Sequence, residues 1–255
     1  MNKLFDLSNK TAIVTGGGNG IGKGCSLMLA SHGANVVVSD LKIEDAEAVA
    51  DLIKTNGGKA IAVSCNVTKD EDLVHLVEQA ISTFGTIEIL VNNAGGGGGG
   101  RENPNSISVD DFAWRFQLNV YSAWRLCQLC VPYMKKAKYG SIINITSMSS
   151  INKSPNMSAY AASKAAMNHM TANLAFDFGP EVRINAVGPG AIKTAALASV
   201  LTPEIEKTML SHTPIKRLGE VEDIAGAVLY FAAPVSEWVS GQVLFVNGGG
   251  IQTLD

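Results

Sequence analysis

The chain has 255 residues, 46% of them hydrophobic, and carries 20 Lys+Arg against 23 Asp+Glu for a formal net charge of −3. Glycine is in excess at 26 residues while proline stands at 8, a pairing that excludes collagen, a Pro/Gly-rich disordered chain and a polar low-complexity tail. With no basic cluster and no run of about 18 apolar residues, neither nucleic acid nor a membrane is an expected partner.

The N-terminal stretch Met1–Lys10 is short and mixed and includes Asp6, so it lacks the apolar core of a signal peptide, and a cytoplasmic location is expected. Short β-branched runs then alternate with longer helical patterns. In chain order the sequence predicts strand Thr11–Thr15, helix Gly20–Ser31, strand Asn35–Ser39, helix Glu44–Thr55, strand Ala60–Val67 and helix Lys69–Phe84. Strand Ile87–Val91, helix Val109–Lys136, strand Ser141–Ile145, helix Ser158–Phe178, strand Val182–Val187, a helix around Glu222–Ala233 and strand Gln242–Val246 complete the series. Most strand runs are continuously apolar, as strands buried on both faces are. The alternation predicts an α/β fold: a Rossmann-like, doubly wound parallel sheet of about seven strands with helices on both faces. No linker or repeat divides the chain, so residues 1–255 form one expected domain. Two segments are irregular: the glycine and polar loop 96–108, and an insertion over 188–217, long enough to act as a lid.

Cysteines 25, 65, 127 and 130 and histidines 32, 75, 169 and 212 are scattered, apart from Cys127-Gln-Leu-Cys130 within an apolar helical run. That pair reads either as core or as half of a zinc or redox site lacking its partners. No metal is expected.

The first strand runs straight into Thr15-Gly-Gly-Gly-Asn-Gly-Ile-Gly22 and a helix. Glycines there allow a tight turn, close approach of backbone to a pyrophosphate, and close packing of helix on strand. Asp40 closes the second strand, 24 residues after Gly16, where a carboxylate can bond ribose hydroxyls. It reads alternatively as a helix N-cap. A carboxylate at that place repels a 2′-phosphate, so NAD is favoured over NADP, although Lys42 softens the repulsion.

The turn has the form T-G-x-x-x-G-I-G. With Asn92-Asn-Ala-Gly95 after the fourth strand, Asn119, Ser147, Tyr160-x-x-x-Lys164 and Pro189-Gly190, in this order, the chain resembles the short-chain dehydrogenase/reductase family over essentially its whole length. Independently of that, Tyr160 and Lys164 lie four apart and share one helix face. An ammonium beside a phenol, which ionises near pH ~10 when free, favours the phenolate. The bland alternative for the pair is a solvated helix face, which the neighbouring alanines weaken. Ser147 follows a strand end, 13 residues before Tyr160, and reads either as a substrate-oxygen contact or as one more loop hydroxyl.

The resemblance implies catalysis by Asn119, Ser147, Tyr160 and Lys164. Tyr160 would exchange a proton with the substrate oxygen, Lys164 would hold the nicotinamide ribose and lower the tyrosine pKa, Ser147 would orient the oxygen, and Asn119 would position a relay water. It implies NAD bound by Gly16, Asn19, Gly20, Ile21, Gly22, Asp40, Asn66, Val67, Asn93, Ala94, Gly95, Tyr160, Lys164, Pro189, Gly190, Ile192 and Thr194. Asn66-Val67 departs from the family's usual Asp-Val or Asp-Ile. An asparagine carbonyl can still accept from an adenine amino group, while its NH₂ offers a different contact.

Within the family, the glycine run 95–100, Ile145-Thr-Ser-Met148, Pro189-Gly-Ala-Ile192 with Thr194, Thr202-Pro-Glu-Ile-Glu206, His212-Thr-Pro-Ile215 with Arg217-Leu-Gly219, and Trp238-Val-Ser-Gly-Gln242 resemble bacterial hydroxysteroid dehydrogenases. That implies action on the 7α-hydroxyl of bile acids. A glycine loop under an apolar lid suits a rigid steroid and would also admit other secondary alcohols or ketones. Lys193 is an unusual cation in that lid. A 3-oxoacyl carrier-protein reductase or another small-alcohol dehydrogenase is the second enzyme reading, and an NAD(H)-sensing protein without catalysis is the reading from another class. Apolar and small residues around much of Val109–Lys136 and Ser158–Phe178 point to self-association, and the resemblance implies a homotetramer.

Overall fold

The computed structural model describes residues 3–96, 102–199 and 201–250. Seven strands, β1 (Thr11–Thr15), β2 (Asn35–Asp40), β3 (Lys59–Ser64), β4 (Ile89–Asn92), β5 (Gly140–Ile145), β6 (Val182–Pro189) and β7 (Val243–Val246), form one sheet. Their order is β3-β2-β1-β4-β5-β6-β7, and every pairing is parallel. The helices are α1 (Gly20–Ser31), α2 (Ile43–Thr55), α3 (Asp70–Phe84), α4 (Val109–Phe116), α5 (Ser122–Ala137), α6 (Ser158–Phe178), α7 (Ala195–Ala198), α8 (Pro203–Ser211) and α9 (Val221–Ala232).

Successive strand residues point to opposite faces, and both faces are apolar. Ala12, Val14, Val36, Val38, Ile89 and Val91 pack with α1, α2 and α9, whereas Ile13, Val37 and Leu90 pack with α3, α5 and α6. Burial on both faces is why these strands read as unbroken apolar runs.

Besides small shifts at element ends, such as β6 running on to Pro189, the elements differ from the sequence expectation as follows. β3 stops at Ser64 rather than Val67, because the Asn66 side-chain oxygen accepts both the Thr68 N–H (3.1 Å) and the Thr68 hydroxyl (2.8 Å), turning the chain out of the sheet. β4 begins at Ile89, two residues late; just before it the Glu88 carboxylate accepts the Thr11 N–H at 2.7 Å. The expected helix Val109–Lys136 is α4, a π turn over Gln117–Tyr121, then α5. The insertion contains α7 and α8, whose first turns are capped by the hydroxyls of Thr194 and Thr202.

Cys127 and Cys130 are fully buried and free, and their burial pushes both thiols up. Among the described residues, no group of three His, Cys, Asp or Glu side chains is placed to hold a metal ion. Among the same residues, no helix is long and apolar enough to cross a membrane.

Candidate active site

Strand order reverses between β1 and β4, and in such sheets the crevice beyond the strand C-termini at the switch point is where ligands lie. Both chain exits there are built from glycine and asparagine. After β1, the Gly17 N–H reaches the Ser39 carbonyl at 2.8 Å and the Gly18 N–H reaches the Asp40 carboxylate at 3.0 Å, which ties the turn to the end of β2. A Cβ on Gly22 would stand 2.0 Å from the Gly16 carbonyl oxygen, so only glycine lets α1 start this close to the strand. Asn19 caps α1, accepting the Gly20 N–H at 2.7 Å. From β4, Asn93 donates to the carbonyls of Thr15 (2.9 Å) and Gly16 (3.0 Å) and fixes the two exits together.

Asp40 is not an N-cap: α2 is preceded by Lys42 and has no side-chain cap bond. One Asp40 oxygen holds the glycine turn and the other accepts the Lys42 N–H at 3.4 Å, while the residue lines the cavity at the strand end. At Asn66 the carbonyl expected to meet adenine already accepts two bonds from Thr68, so the carboxamide offers only its NH₂.

The π turn determines where Asn119 goes. Such a turn adds a residue to the helical circuit and is favoured at functional sites. The buried Asn119 amide donates to the Gly96 carbonyl (3.1 Å) and the Ser163 hydroxyl (2.9 Å), and its oxygen accepts the Gly96 N–H (3.0 Å). A Cβ on Gly95 would meet the Asn119 oxygen at 2.7 Å and the Lys164 ammonium at 3.3 Å, so Gly95 is a close-approach glycine. Ser163 donates to the Tyr160 carbonyl at 2.7 Å, which carries the connection into α6.

Tyr160 and Lys164 do share one face of α6, and that face looks into the protein. Lys164 is 4% exposed, donates to the Ile145 carbonyl at 2.8 Å, and has its Nζ 5.9 Å from the centre of the Tyr160 ring. Burial lowers its pKa from 10.5 to about 8. Ser147 follows β5; its hydroxyl accepts the Ser149 N–H at 3.1 Å and lines the same cavity as Tyr160. Burial raises the Tyr160 pKa, the neighbouring Ser147 hydroxyl opposes that, and the charge of Glu102 adds to it. In the free protein burial is the largest influence on Tyr160, and the net shift is upward. Desolvation acts on both partners and drives each toward its neutral form.

Every residue expected at the site, except Gly22 and Asn119, lines one cavity of about 660 Å³. Gly22 lies behind the Gly16 carbonyl, and Asn119 supports the wall through Gly96. Leu41, Cys65, Leu118 and the α7 residues Ala195–Leu197 also line it, and sequence reasoning missed them. Their only signal was position, at strand ends and in the insertion. Thr194 leans over the glycine turn, its methyl 3.5 Å from where a Cβ of Gly20 would be. Lys193 points away from this chemistry and pairs with Glu220 at 2.6 Å. Residues 97–100 of the glycine run fall outside the described residues.

The cradle fits a dinucleotide: a helix N-terminus with free N–H groups, glycines a side chain would block, a carboxylate at the end of β2, and a cavity in the range of cofactor sites. Comparison with known proteins agrees with this geometry. A family model described as enoyl-(acyl carrier protein) reductase matches residues 16–250. The chain is 49% identical to 7alpha-hydroxysteroid dehydrogenase of Escherichia coli K12 over 98% of this chain and 97% of that protein. It is 33% identical to 3-oxoacyl-(acyl-carrier-protein) reductase of Thermotoga maritima over 95% of this chain and 98% of that one. A solved 7 alpha-hydroxysteroid dehydrogenase, complexed with NADH and 7-oxo glycochenodeoxycholic acid, superposes with a TM-score of 0.96 at 48% identity, covering 100% of this chain and 99% of that chain. The fold, the ordered motifs and these likenesses agree, and the chain belongs to the short-chain dehydrogenase/reductase family of oxidoreductases.

Proposed function

We propose that this protein is an NAD(H)-dependent dehydrogenase that interconverts a secondary alcohol and its ketone, the substrate group being the 7α-hydroxyl of bile acids. The observation that carries the reading is the convergence of Ser147, Tyr160 and Lys164 on the cavity that also holds the glycine turn and Asp40. The likeness to the Escherichia coli enzyme and to the bile-acid complex supports the choice of substrate.

When bound, the dinucleotide supplies the nicotinamide carbon that exchanges hydride with the substrate carbon. Gly16, Asn19, Gly20 and Ile21 would hold its pyrophosphate, Gly22 letting α1 start close behind them, and Asp40 would hold the adenosine ribose. Asn66, Val67, Asn93, Ala94 and Gly95 flank its adenine and central portion. Pro189, Gly190, Ile192 and Thr194 close over the nicotinamide side. Ser147 donates to the substrate oxygen and fixes its height. In oxidation, Tyr160 takes the alcohol proton; in reduction it returns one. Lys164 binds the nicotinamide ribose and keeps positive charge near the phenol. Asn119 anchors Gly96 and Ser163, and its one remaining lone pair is available to a relay water. Residues 188–217, with α7 and α8, form the lid on the substrate side, supported by Ala195–Leu197 on the cavity wall.

The protein works in the cytoplasm as a homotetramer. Exposed Trp114, Tyr121 and Trp124 on the α4–α5 face, and Phe176 on α6, support burial against further copies of the chain. Sedimentation at four times 26.8 kDa is the expected result.

The carrier-protein reductase reading has the 33% identical relative in its favour and Asp40 against it, since that carboxylate opposes the extra phosphate of NADPH. An NAD(H) sensor without catalysis would have no use for an intact Ser147–Tyr160–Lys164 group. Purified protein given NAD⁺ with cholate or chenodeoxycholate should produce NADH. Turnover of a 3-oxoacyl thioester with none of either bile acid would refute the substrate assignment. Tyr160→Phe should lose turnover and keep NAD binding; near wild-type turnover in that variant would refute the proton-transfer role.

A further inference from the structure

We propose that Glu102 is a positioning residue for Tyr160: its buried carboxylate, joined to the first turn of α6 and facing Arg115, fixes where the phenol sits and the charge it works against. This rests on the reading of Tyr160 as the acid–base group, and the test below separates the two.

α6 begins at Ser158, and Met157 before it offers no side-chain oxygen to the first free N–H groups. The acceptor comes from far away in sequence. One oxygen of Glu102 accepts the N–H of Ala159 at 2.9 Å and of Tyr160 at 3.2 Å, while the Glu102 N–H donates to the Asn156 carbonyl at 2.9 Å. A carboxylate at a helix N-terminus is favourable both as a cap and against the helix dipole. Here it also holds the backbone of the very residue whose side chain meets Ser147.

Glu102 is only 4% exposed, so its charge needs a partner. That partner is Arg115 on α4, with Nε 3.3 Å from the second carboxylate oxygen. The pair is within ion-pairing distance, yet neither atom makes a hydrogen bond, so charge neutralisation is incomplete in direction. The guanidinium is steadied instead by the face of Trp114, 5.0 Å from the ring centre. The charged groups set around Tyr160 are thus Glu102 from the segment after β4, Arg115 from α4, and Lys164 from α6 itself. The segment after β5 contributes the neutral Ser147 hydroxyl. The Glu102 charge opposes phenolate formation, which the Ser147 hydroxyl favours.

The test uses the full-length protein and two variants of opposite sign, Glu102→Gln and Arg115→Met. Glutamine keeps an oxygen for the α6 N–H groups and removes the charge; methionine leaves the carboxylate without its counter-ion. Two readouts are taken against pH: kcat/KM for bile-acid oxidation, and ionisation of Tyr160, read as tyrosinate absorbance of each protein minus that of its Tyr160→Phe counterpart. E102Q should move both transitions down by about one pH unit, the size expected of one full charge at a partly buried site. R115M should move both up, with KM for NAD unchanged in either variant. A residue that only supported the fold would not shift the two variants in opposite directions. Transitions that superpose on the wild type, or that move the same way in both variants, overturn the proposal. Should E102Q fail to fold, the direction of R115M decides. A wild-type protein without dehydrogenase activity would refute the proposed function instead, and the tyrosinate titration would still decide the role of Glu102.

Discussion

Replacing Lys164 by methionine probes the electrostatics of the site with no substrate present. The wild-type ammonium is 4% exposed, and burial lowers its pKa from 10.5 to about 8. That gap corresponds to about 3 kcal/mol acting against the folded state wherever the unfolded lysine is protonated. Methionine fills similar space and removes this cost. It also deletes the 2.8 Å hydrogen bond to the Ile145 carbonyl, a loss of about 1–2 kcal/mol. At pH 7 the variant should therefore be more stable by about 1–2 kcal/mol, with Tm raised by about 2–4 °C for each kcal/mol in a chain of this size.

The pH dependence has a fixed sign. The folded pKa lies below the unfolded one, so between pH 8 and 10.5 the unfolded chain holds the extra proton and wild-type stability rises with pH. Methionine lacks that gain, and its advantage should fade across the same window. Thermal melts of both proteins at pH 7 and pH 10, followed by circular dichroism, measure the difference; other titrating groups cancel in it. A variant less stable than wild type at pH 7 by more than about 1 kcal/mol would refute the assignment of a costly buried charge. So would a difference that stays constant across the window.

Three further outcomes are expected. Asp40→Asn keeps an acceptor for the Gly18 N–H but removes the charge facing a 2′-phosphate; the NADP⁺ to NAD⁺ ratio of kcat/KM should rise at least about tenfold, about 1.4 kcal/mol, and an unchanged ratio would remove Asp40 from cofactor choice. Gly22→Ala must displace backbone to clear a 2.0 Å contact with the Gly16 carbonyl; Tm and NAD affinity should both fall, the stability by about 3 kcal/mol, as melting with and without NAD will measure. The thiols of Cys25 and Cys127, fully buried away from the cavity, are pushed up to about 12 by burial; a thiol reagent should react with them at least about 100-fold faster in denaturant than in the folded protein, and fast labelling of either in the folded protein would contradict their burial.

What was legible in the sequence was what short-range patterns encode. Strand β1, the glycine turn and α1 follow from a β-branched run, glycines and an asparagine cap within a dozen residues. The π turn was invisible because apolar spacing continues unbroken from Trp114 through Arg125; what makes it is tertiary, the three bonds of Asn119 to Gly96 and Ser163. The helices of the insertion did leave marks, Thr194 and Thr202-Pro203, but each helix is short enough for a loop to read the same way. Glu102 left none, since the residues it serves lie 57 and 58 positions on. The third glycine cluster, at 248–250, also needed the fold: it packs the exit of β7 against the end of the insertion, where a Cβ on Gly250 would stand 2.4 Å from the His212 carbonyl.

The acid–base pair shows most clearly where a local rule stops. Four residues apart on one helix, Lys164 should make Tyr160 a stronger acid, and in water that inference would stand. Burial changes the reference for both groups at once: the tyrosine moves up, the lysine moves down, and the ammonium spends its hydrogen bond on the Ile145 carbonyl. In the fold alone, burial therefore favours the neutral form of each partner. Polar groups entering the cavity solvate the charged form of each partner, which lowers the one and raises the other. The reactivity of the pair is consequently set by what fills the cavity, with Ser147 and Glu102 as the two fixed influences pulling the phenol in opposite directions. Burial thus holds the phenol protonated in the free protein, and a polar ligand that solvates the phenolate would favour its ionisation.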